Sequence, residues 1–487
     1  MHTMEVTYQS DSQVTDSLGR EVGILRIKAG NGDPYAPPTF KSVHWVITVD
    51  ESGSMDDMCK DGHTKAQHVI HTITNLLGFF RVLKEKHHVS QKLTLVCFDG
   101  DVRSEHYELD DETNFDRAKS DIVCIRGKGL TNIEGALREG ASHQVGSTER
   151  TVHMLMTDGQ VTEGSRSTDT LGGIIRMIAE RAGRPGIYYA LLGYGADHDS
   201  HLLAELGEVL RPTDDSHSAS EYHYIESYEN AGMVYGEAAF NGVYIEASNP
   251  VITVAGGEIY DYSKDEWTRS LQVPSIGQGE KTWSVRAEQP GAEVQVKVSY
   301  SKWSEGGQDY VQAPLLQAQR VNADIQELER YHMRMRTLGL LHQAREARSV
   351  QSEVEPPPLR RRAGGGLWVA SPPSTPPRGE NDALKAAIDN LMTELGALMA
   401  KHGDDVGDFL RNLKDDLYVA RRGLEASNGL QFIAMRHTSQ GRQRTYNASD
   451  LSEMAGPDDG YQMSQAPLSA YRSPASENVL RTCSQPT

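Results

Sequence analysis

Three oxygen-bearing side chains stand at alternate positions where an apolar run ends, in the stretch VITVDESGSM at residues 46–55. They are Asp50, Ser52 and Ser54. Alternate residues of an extended segment share one face, and the intervening Gly53 lets the chain curl around a common point. Carboxylate and hydroxyl oxygens are the ligands that hard cations such as Mg²⁺ prefer. The stretch therefore predicts part of a cation site, whose other ligands must come from elsewhere in the chain.

Two later segments offer the missing ligands. In GKGLTNIEGAL, Thr131 follows a glycine-rich turn and stands where a helix over residues 132–140 is predicted to start. In MTDG at residues 156–159, Asp158 ends another apolar run. A D-x-S-x-S match alone is a weak signal, and its weight comes from this context. The sequence therefore predicts a site made from three separate segments.

The elements that would position these residues follow from the pattern between residues 42 and 244. Short apolar runs such as VHWVITV, KLTLVCF, VHMLMTD and GIYYALLGYG alternate there with segments of helical spacing. This alternation predicts an α/β fold with a doubly wound, mainly parallel, Rossmann-like sheet. Ligands of such sheets bind beyond the carboxyl ends of the strands. Asp50 and Asp158 both stand at such an end.

The flanking sequence predicts further units. Alternating apolar and polar residues in 243–312 predict a β-sandwich, which the strands predicted in residues 1–41 could join, with the 42–242 domain inserted between them. The C-terminal part is predicted to consist of a helix, a Pro/Gly-rich linker, a helical segment and a polar, flexible tail, at residues 313–346, 347–381, 382–425 and 426–487. The apolar stripes of these helices favour packing within the chain, and self-association through them is the alternative.

The three metal segments together resemble the von Willebrand factor type A (vWA) domain and its metal-ion-dependent adhesion site, over residues 42 to about 240. The chain is similar to the intracellular type, in which a β domain follows. The resemblance implies that Ser52 and Ser54 bind Mg²⁺, or Mn²⁺, directly. It implies that Thr131 does so in the ligand-engaged form, and that Asp50 and Asp158 act largely through water. A carboxylate of Asp or Glu on a partner protein would then take the open position.

The composition indicates in which cellular compartment the protein works and which classes of partner it can bind. A net charge of −19 over 487 residues argues against a nucleic-acid partner, which would need basic residues to neutralise phosphates. The four cysteines have no C-x-x-C spacing, which fits a reducing compartment. No run resembles a signal peptide or a membrane span. We therefore expect a soluble, cytoplasmic protein with no membrane partner.

The sequence favours a scaffold or adaptor that binds a partner carboxylate through the ion. It argues against an enzyme. No histidine or lysine base is evident beside the metal residues, and neither a GxxxxGK[ST] nor a GxSxG motif is present. Three alternatives stay open. In the first, the two aspartates only cap strands and helices. In the second, the ion stabilises a structural or oligomer-forming protein. In the third, the ion activates water in a hydrolase.

A second candidate metal segment is GADHDSH at residues 195–201. His198 and His201 have a spacing that zinc ligands use. However, the helical pattern HLLAEL follows directly, so Asp197 or Asp199 is well placed to cap that helix. We predict a helix cap at this segment.

Overall fold

The structure is a computed structural model of the 487-residue chain. It describes residues 4–59, 61–144, 148–195, 198–210, 217–225, 231–304, 307, 309–352, 359–361, 367–369, 381–402, 407–444, 451, 454, 460–464 and 471–484. The strands are β1 (Met4–Thr15), β2 (Glu21–Ala29), β3 (Ser42–Asp50), β4 (Ser90–Phe98), β5 (Val102–Glu108), β6 (Arg150–Thr157), β7 (Ile187–Tyr194), β8 (Ala219–Ile225), β9 (Ser248–Ala255), β10 (Gly257–Asp261), β11 (Glu266–Thr268), β12 (Ser270–Gln272), β13 (Gly279–Ala287), β14 (Gln295–Trp303), β15 (Tyr310–Gln312), β16 (Leu316–Gln317), β17 (Gln319–Arg320), β18 (Leu359–Arg361) and β19 (Leu367–Val369). The α-helices are α1 (Lys65–His87), α2 (Glu112–Ile122), α3 (Ile133–Ser142), α4 (Thr168–Arg181), α5 (Ser200–Leu206), α6 (Ala231–Val243), α7 (Ile325–Ser352), α8 (Asp382–His402), α9 (Gly407–Gly423), α10 (Gly429–Arg442) and α11 (Pro474–Ser484).

A six-stranded sheet in the order β5-β4-β3-β6-β7-β8 forms the α/β domain. Its strands are parallel except for β5, which pairs antiparallel with β4 at one edge. Buried residues of α1, α2 and α6 pack on one face of the sheet, and those of α3, α4 and α5 pack on the other. Burial on both faces explains why these strands are continuous apolar runs. The predicted α/β fold with a mainly parallel sheet is confirmed.

The two central strands of this sheet bring the polar loops together. β3 and β6 are paired neighbours in parallel register, with Val49 opposite Met156. Asp50 is the last residue of β3, and Asp158 directly follows β6. Because the strands run in the same direction, both aspartates lie at the carboxyl edge of the sheet.

Two further sheets form a β-sandwich from both flanks of the α/β domain. One sheet has the order β11-β10-β13-β2-β1-β17, and the other has the order β12-β9-β14-β15, with β16 also paired to β14. The N-terminal strands therefore belong to the sandwich, since β2 pairs with β13 from Val22 to Ala29. The two connections to the α/β domain meet, because Thr39 Oγ1 lies 2.9 Å from the Ile245 carbonyl oxygen. The α/β domain is an insertion in the sandwich.

The helix predicted over 313–346 begins and ends later than predicted. In that range, β16 pairs with β14 and β17 pairs with β1. The helix α7 begins only at Ile325. The Asp324 carboxylate accepts hydrogen bonds from the backbone N–H groups of Gln326 and Glu327, at 3.0 and 3.2 Å, and so caps the helix. The helix then continues to Ser352, so the predicted start of the linker at residue 347 is wrong. Most of the remaining predicted linker lies outside the described residues.

The prediction of a flexible tail over 426–487 is wrong for two segments, which form α10 and α11. Side chains of α10 are almost all buried, and its polar residues have internal partners. Arg436 lies 3.0 Å from the Asp416 carboxylate, and Gln440 donates to the same carboxylate at 2.7 Å. Such paired polar residues resemble a solvated tail in sequence, although they are part of a core.

Helix α11 packs against α1 and α6 of the α/β domain. Ala475, Val479 and Cys483 of α11 belong to the apolar cluster under the sheet. The Tyr235 hydroxyl of α6 donates to the Cys483 carbonyl oxygen at 2.9 Å. The apolar stripe of α8, which includes Ile388, is likewise buried within the chain against α7 and α9. Self-association through the C-terminal helices stays a prediction.

Helix α10 also joins the α/β domain to the sandwich. The Arg444 guanidinium, just beyond its end, donates to the Glu221 carboxylate of β8 at 2.6 Å. Gln443, the residue before Arg444, bonds to the backbone of Thr282 in β13. Its side chain accepts from the Thr282 N–H at 2.7 Å and donates to the Thr282 carbonyl oxygen at 2.8 Å. We call residues 442–444 the interdomain clamp, because they hold both domains at once.

Candidate metal centre

Asp50 is held at the end of β3 by hydrogen bonds to both carboxylate oxygens. Its side chain is 0% exposed. Oδ1 accepts from the backbone N–H of Ser52 at 2.8 Å, and Oδ2 accepts from the Thr157 hydroxyl at 2.5 Å. Burial raises the pKa of Asp50 above its usual range, and the negative charge of the neighbouring Asp158 raises it further. Two buried carboxylates on neighbouring strand ends favour a cation nearby.

Ser52 and Ser54 present their hydroxyls together. Ser52 is buried, and Ser54 lies in a 3₁₀ turn over Gly53–Asp56. Their Oγ atoms are 3.1 Å apart. Oxygens at neighbouring positions of an octahedral Mg²⁺ shell, each about 2.1 Å from the ion, lie about 3 Å apart. The two hydroxyls thus have the spacing of adjacent ligands of one small cation.

Thr131 lies on a loop that is hydrogen-bonded to both of the other metal segments. The backbone N–H of Gly53 donates to the Gly129 carbonyl oxygen at 3.3 Å, two residues before Thr131. The Thr131 carbonyl oxygen accepts from the N–H groups of Thr162 and Glu163, at 3.1 Å each, in the loop that follows Asp158. The structure therefore joins the three predicted segments at one edge of the sheet.

A glycine is required at position 129 of this loop. Its φ is +73°, and a Cβ atom there would lie 2.9 Å from the Asp99 carboxylate. A side chain would thus be strained in backbone geometry and would also meet Asp99. The GKGL sequence before Thr131 is consistent with both demands, which fix where the threonine stands.

Asp158 has a partner that the sequence did not suggest. Its side chain is 0% exposed, and its Oδ2 lies 3.2 Å from the Lys65 ammonium group. Lys65 is the first residue of α1, behind the capping box of Thr64 and Gln67, and only 3% of its side chain is exposed. The expectation that no lysine stands beside the metal residues was therefore wrong. From sequence alone, a lysine just after a polar loop is expected to be solvated. Its position at the start of a helix was the only indication of this contact.

The remaining acid of the D-x-S-x-S segment has its own counter-charge. Glu51 is buried, and it forms an ion pair with Arg103 of β5, with Arg103 Nη2 donating to Oε1 at 2.9 Å. Asp50 and Asp158 bring two carboxylates to the site, and Lys65 brings one ammonium group. Their formal sum is negative.

These residues fit a small divalent cation. The donor set combines two buried carboxylates with two hydroxyls at the spacing of adjacent ligands, and Mg²⁺ or Mn²⁺ accepts such oxygens. Ser52 and Ser54 would hold the ion through their hydroxyls, together with Thr131, and the carboxylates would act directly or through water. A bound ion would supply a Lewis-acidic position for an anionic oxygen.

Among the described residues, no group of three or more His, Cys, Asp or Glu side chains is arranged to hold a metal ion. Such a group would be rich in acids, imidazoles or thiols. The site around Asp50 and Asp158 has only these two acids as proposed ligands and takes its other ligands from hydroxyls. In the GADHDSH segment, Asp199 caps α5, because its side chain accepts from the Leu202 N–H at 3.0 Å. The predicted helix cap is confirmed there, and Asp197 lies outside the described residues.

The sheet order and the position of the polar loops define a fold like that of the vWA domain. Several solved structures resemble the chain at low sequence identity. The ArnB paralog VWA2 from Sulfolobus acidocaldarius has a TM-score of 0.46 and 12% identity, and the match covers 89% of this chain and 98% of that one. An aerotolerance-related membrane protein from Bacteroides fragilis has a TM-score of 0.30 and 15% identity, over 40% of this chain and 98% of that one. The pilus adhesin SpaC from Lactobacillus rhamnosus GG has a TM-score of 0.32 and 14% identity, over 66% of this chain and 48% of that one. Likeness at this level carries no argument about function.

Comparison with protein-family models and with curated proteins gave no match. In the part of the chain that the structure describes, no helix combines the length and apolar character that crossing a membrane requires.

Proposed function

We propose that the chain is a metal-dependent protein-interaction module, which binds an Asp or Glu carboxylate of a partner protein through a Mg²⁺ or Mn²⁺ ion. Asp50, Ser52, Ser54, Thr131 and Asp158 would form the site. The observation that carries the proposal is the 3.1 Å approach of the Ser52 and Ser54 hydroxyls beside two fully buried carboxylates. The Ser52 side chain makes no capping hydrogen bond to the 3₁₀ turn that follows it, and it meets the Ser54 hydroxyl instead.

The chemistry of the site favours binding over catalysis. Three of the five proposed ligands are neutral hydroxyls, and the Lys65 ammonium pairs with one of the two carboxylates, so the ion is left short of negative charge. An ion in this state attracts an external carboxylate. Lys65, the basic side chain beside the site, is held in an ion pair with Asp158. We therefore propose that the module is not an enzyme and that its role is that of a scaffold or adaptor.

Metal binding is the first test, on the full chain. Calorimetric titration of the metal-free protein with Mn²⁺ and with Mg²⁺ should show one site per chain. Ser54→Ala removes one hydroxyl ligand and should weaken Mn²⁺ binding by about tenfold or more. The matched control is Ser120→Ala, which removes an exposed hydroxyl that bonds to the Asp116 carbonyl oxygen within α2. Ser120→Ala should leave Mn²⁺ binding unchanged.

The open position is the second test. Acetate, as a minimal carboxylate, is added to the Mn²⁺-loaded protein while the relaxation rate of water protons is followed. Displacement of an ion-bound water by acetate should lower the relaxation enhancement, and Ser120→Ala should behave as wild type. If wild type takes up neither ion, or if acetate never changes the relaxation of the loaded protein, the proposed function is wrong.

A further inference from the structure

Lys65 occupies a position that is unfavourable for a lysine on two grounds. Its ammonium group is withdrawn from water, since only 3% of its side chain is exposed. It is also the first residue of α1, where the helix dipole repels positive charge. Only a strong local demand for a cation explains a lysine there. That demand comes from the Asp158 carboxylate at 3.2 Å and from the Asp50 carboxylate, which accepts a hydrogen bond from Thr157, the residue before Asp158.

We propose that Lys65 is a built-in counter-charge of the metal site, which sets how tightly the site holds its ion and how strongly the loaded ion attracts a carboxylate. Lys65 is a positioning residue in this role, because it acts through Asp158. The inference rests on the proposed function, since it describes how that same site is tuned.

The charges of the site give the direction of the effect. The two aspartates and Lys65 sum to one negative charge, so a divalent ion brings the loaded site to one positive charge. If Lys65 were neutral, the two carboxylates alone would balance the ion completely. Lys65 therefore opposes binding of the metal and leaves a positive charge for the partner carboxylate to neutralise.

The same residue explains how the folded protein tolerates an empty site. Two buried carboxylates without a cation are strongly unfavourable. The Lys65 ammonium compensates one of them when no ion is bound. Removal of the charge should therefore destabilise the metal-free form more than the metal-bound form.

The test uses the full chain and four proteins: wild type, Lys65→Met, Lys65→Arg and the control Lys86→Met. Lys86 is an exposed lysine in the last turn of α1, so its replacement removes a positive charge far from the site along the helix. Calorimetry gives the Mn²⁺ affinity of the metal-free proteins. Water-proton relaxation then gives the acetate affinity of the Mn²⁺-loaded proteins.

Lys65→Met should bind Mn²⁺ about tenfold more tightly and should bind acetate about tenfold more weakly. Lys86→Met should stay within about twofold of wild type in both affinities, and Lys65→Arg, which keeps the charge, should lie closer to wild type than Lys65→Met does in both. The opposite signs are the signature of a charge effect, because a structural defect would weaken both. Unchanged affinities in Lys65→Met, or a loss of both, would overturn the inference.

Folding and metal binding are separated by a thermal measurement in EDTA and in Mn²⁺. Lys65→Met should melt lower than wild type in EDTA and should recover in Mn²⁺. A variant that stays unfolded in both would refute the counter-charge role, and Lys65→Gln repeats the comparison with a smaller change in polarity. Wild type that binds no Mn²⁺ would refute the proposed function itself, whereas metal binding that is insensitive to Lys65 would refute this inference alone.

Discussion

His153 provides a quantitative test of the α/β core. It lies on β6 with no exposed surface, and its ring contacts that of Tyr189 with centroids 4.5 Å apart. The Gln144 amide donates to Nδ1 at 3.0 Å, so Nε2 carries the proton and donates to the Thr48 hydroxyl at 2.8 Å. Burial lowers the pKa of His153 from 6.5 to about 3. The folded state thus holds this imidazole neutral.

The sign of the pH effect follows from the depressed pKa. Above pH 6.5 the imidazole is neutral in both states, so its contribution to stability is complete. Below pH 6.5 the unfolded chain binds a proton that the folded chain refuses, and stability is lost as the pH falls towards 3. The loss is about 1.4 kcal/mol per pH unit, which gives about 2 kcal/mol between pH 6.5 and pH 5.

His153→Gln should remove this part of the pH dependence. Glutamine stays neutral, so between pH 7 and pH 5 the variant should lose about 2 kcal/mol less free energy of unfolding than wild type. At pH 7 the variant should be less stable by about 1–3 kcal/mol, because it loses the ring contact with Tyr189. The control is His88→Asn, which replaces an exposed histidine at a left-handed position, φ +53°, that asparagine tolerates.

Urea unfolding at both pH values, read by pulsed hydrogen exchange and mass spectrometry of peptides from β3 and β6, isolates the transition of the α/β domain from those of the other parts. This matters because a chain of several domains does not unfold in one step. If wild type and His153→Gln lose the same free energy of unfolding between pH 7 and pH 5, the account of His153 as a buried neutral imidazole is refuted.

Two further predictions concern the C-terminal helices. Gly441→Ala should detach the end of α10 and lower the protection of α10 peptides from hydrogen exchange, because its Cβ would lie 2.1 Å from the Tyr262 ring. Gly396→Ala in α8 meets no atom within 4 Å, and it should instead stabilise its helix by about 0.5–1 kcal/mol in urea unfolding; equal destabilisation by both would contradict the packing. Iodoacetamide should label the exposed Cys124 of the native protein first and the buried Cys483 of α11 far more slowly, as judged by peptide mass spectrometry. Equal labelling rates would show that α11 is not docked.

The sheet of the α/β domain was predictable from the sequence, because strands buried on both faces are written as continuous apolar runs between helical patterns. Asp50 and Asp158 were predictable as neighbours for the same reason, since both follow such runs and β3 lies beside β6. The sequence also predicted that Ser52 and Ser54 converge, although Ser54 lies in a 3₁₀ turn and not in the extended segment that the alternation assumed. These inferences use local patterns and one rule about strand ends.

Lys65 and the interdomain clamp were not predictable in this way. A lysine is usually solvated, and its burial depends on an acid 93 positions away in the sequence. Gln443 reaches Thr282 over 161 positions, so the polar stretch around it resembled a loose tail. Polar residues that are buried with partners from distant segments leave no periodic signal, and this explains why the same stretch was assigned wrongly.

The insertion of one domain into another sets an order of assembly. Ala29 pairs with Gly279, 250 positions further along the chain, and closing a loop of that length as a random coil costs about 5 kcal/mol of entropy. The folded α/β domain shortens this loop, because its two ends meet where Thr39 bonds to Ile245. Prior folding of the α/β domain therefore lowers the entropic cost of pairing β2 with β13. Damage to the insert should propagate into the sandwich, whereas damage to the sandwich should spare the insert.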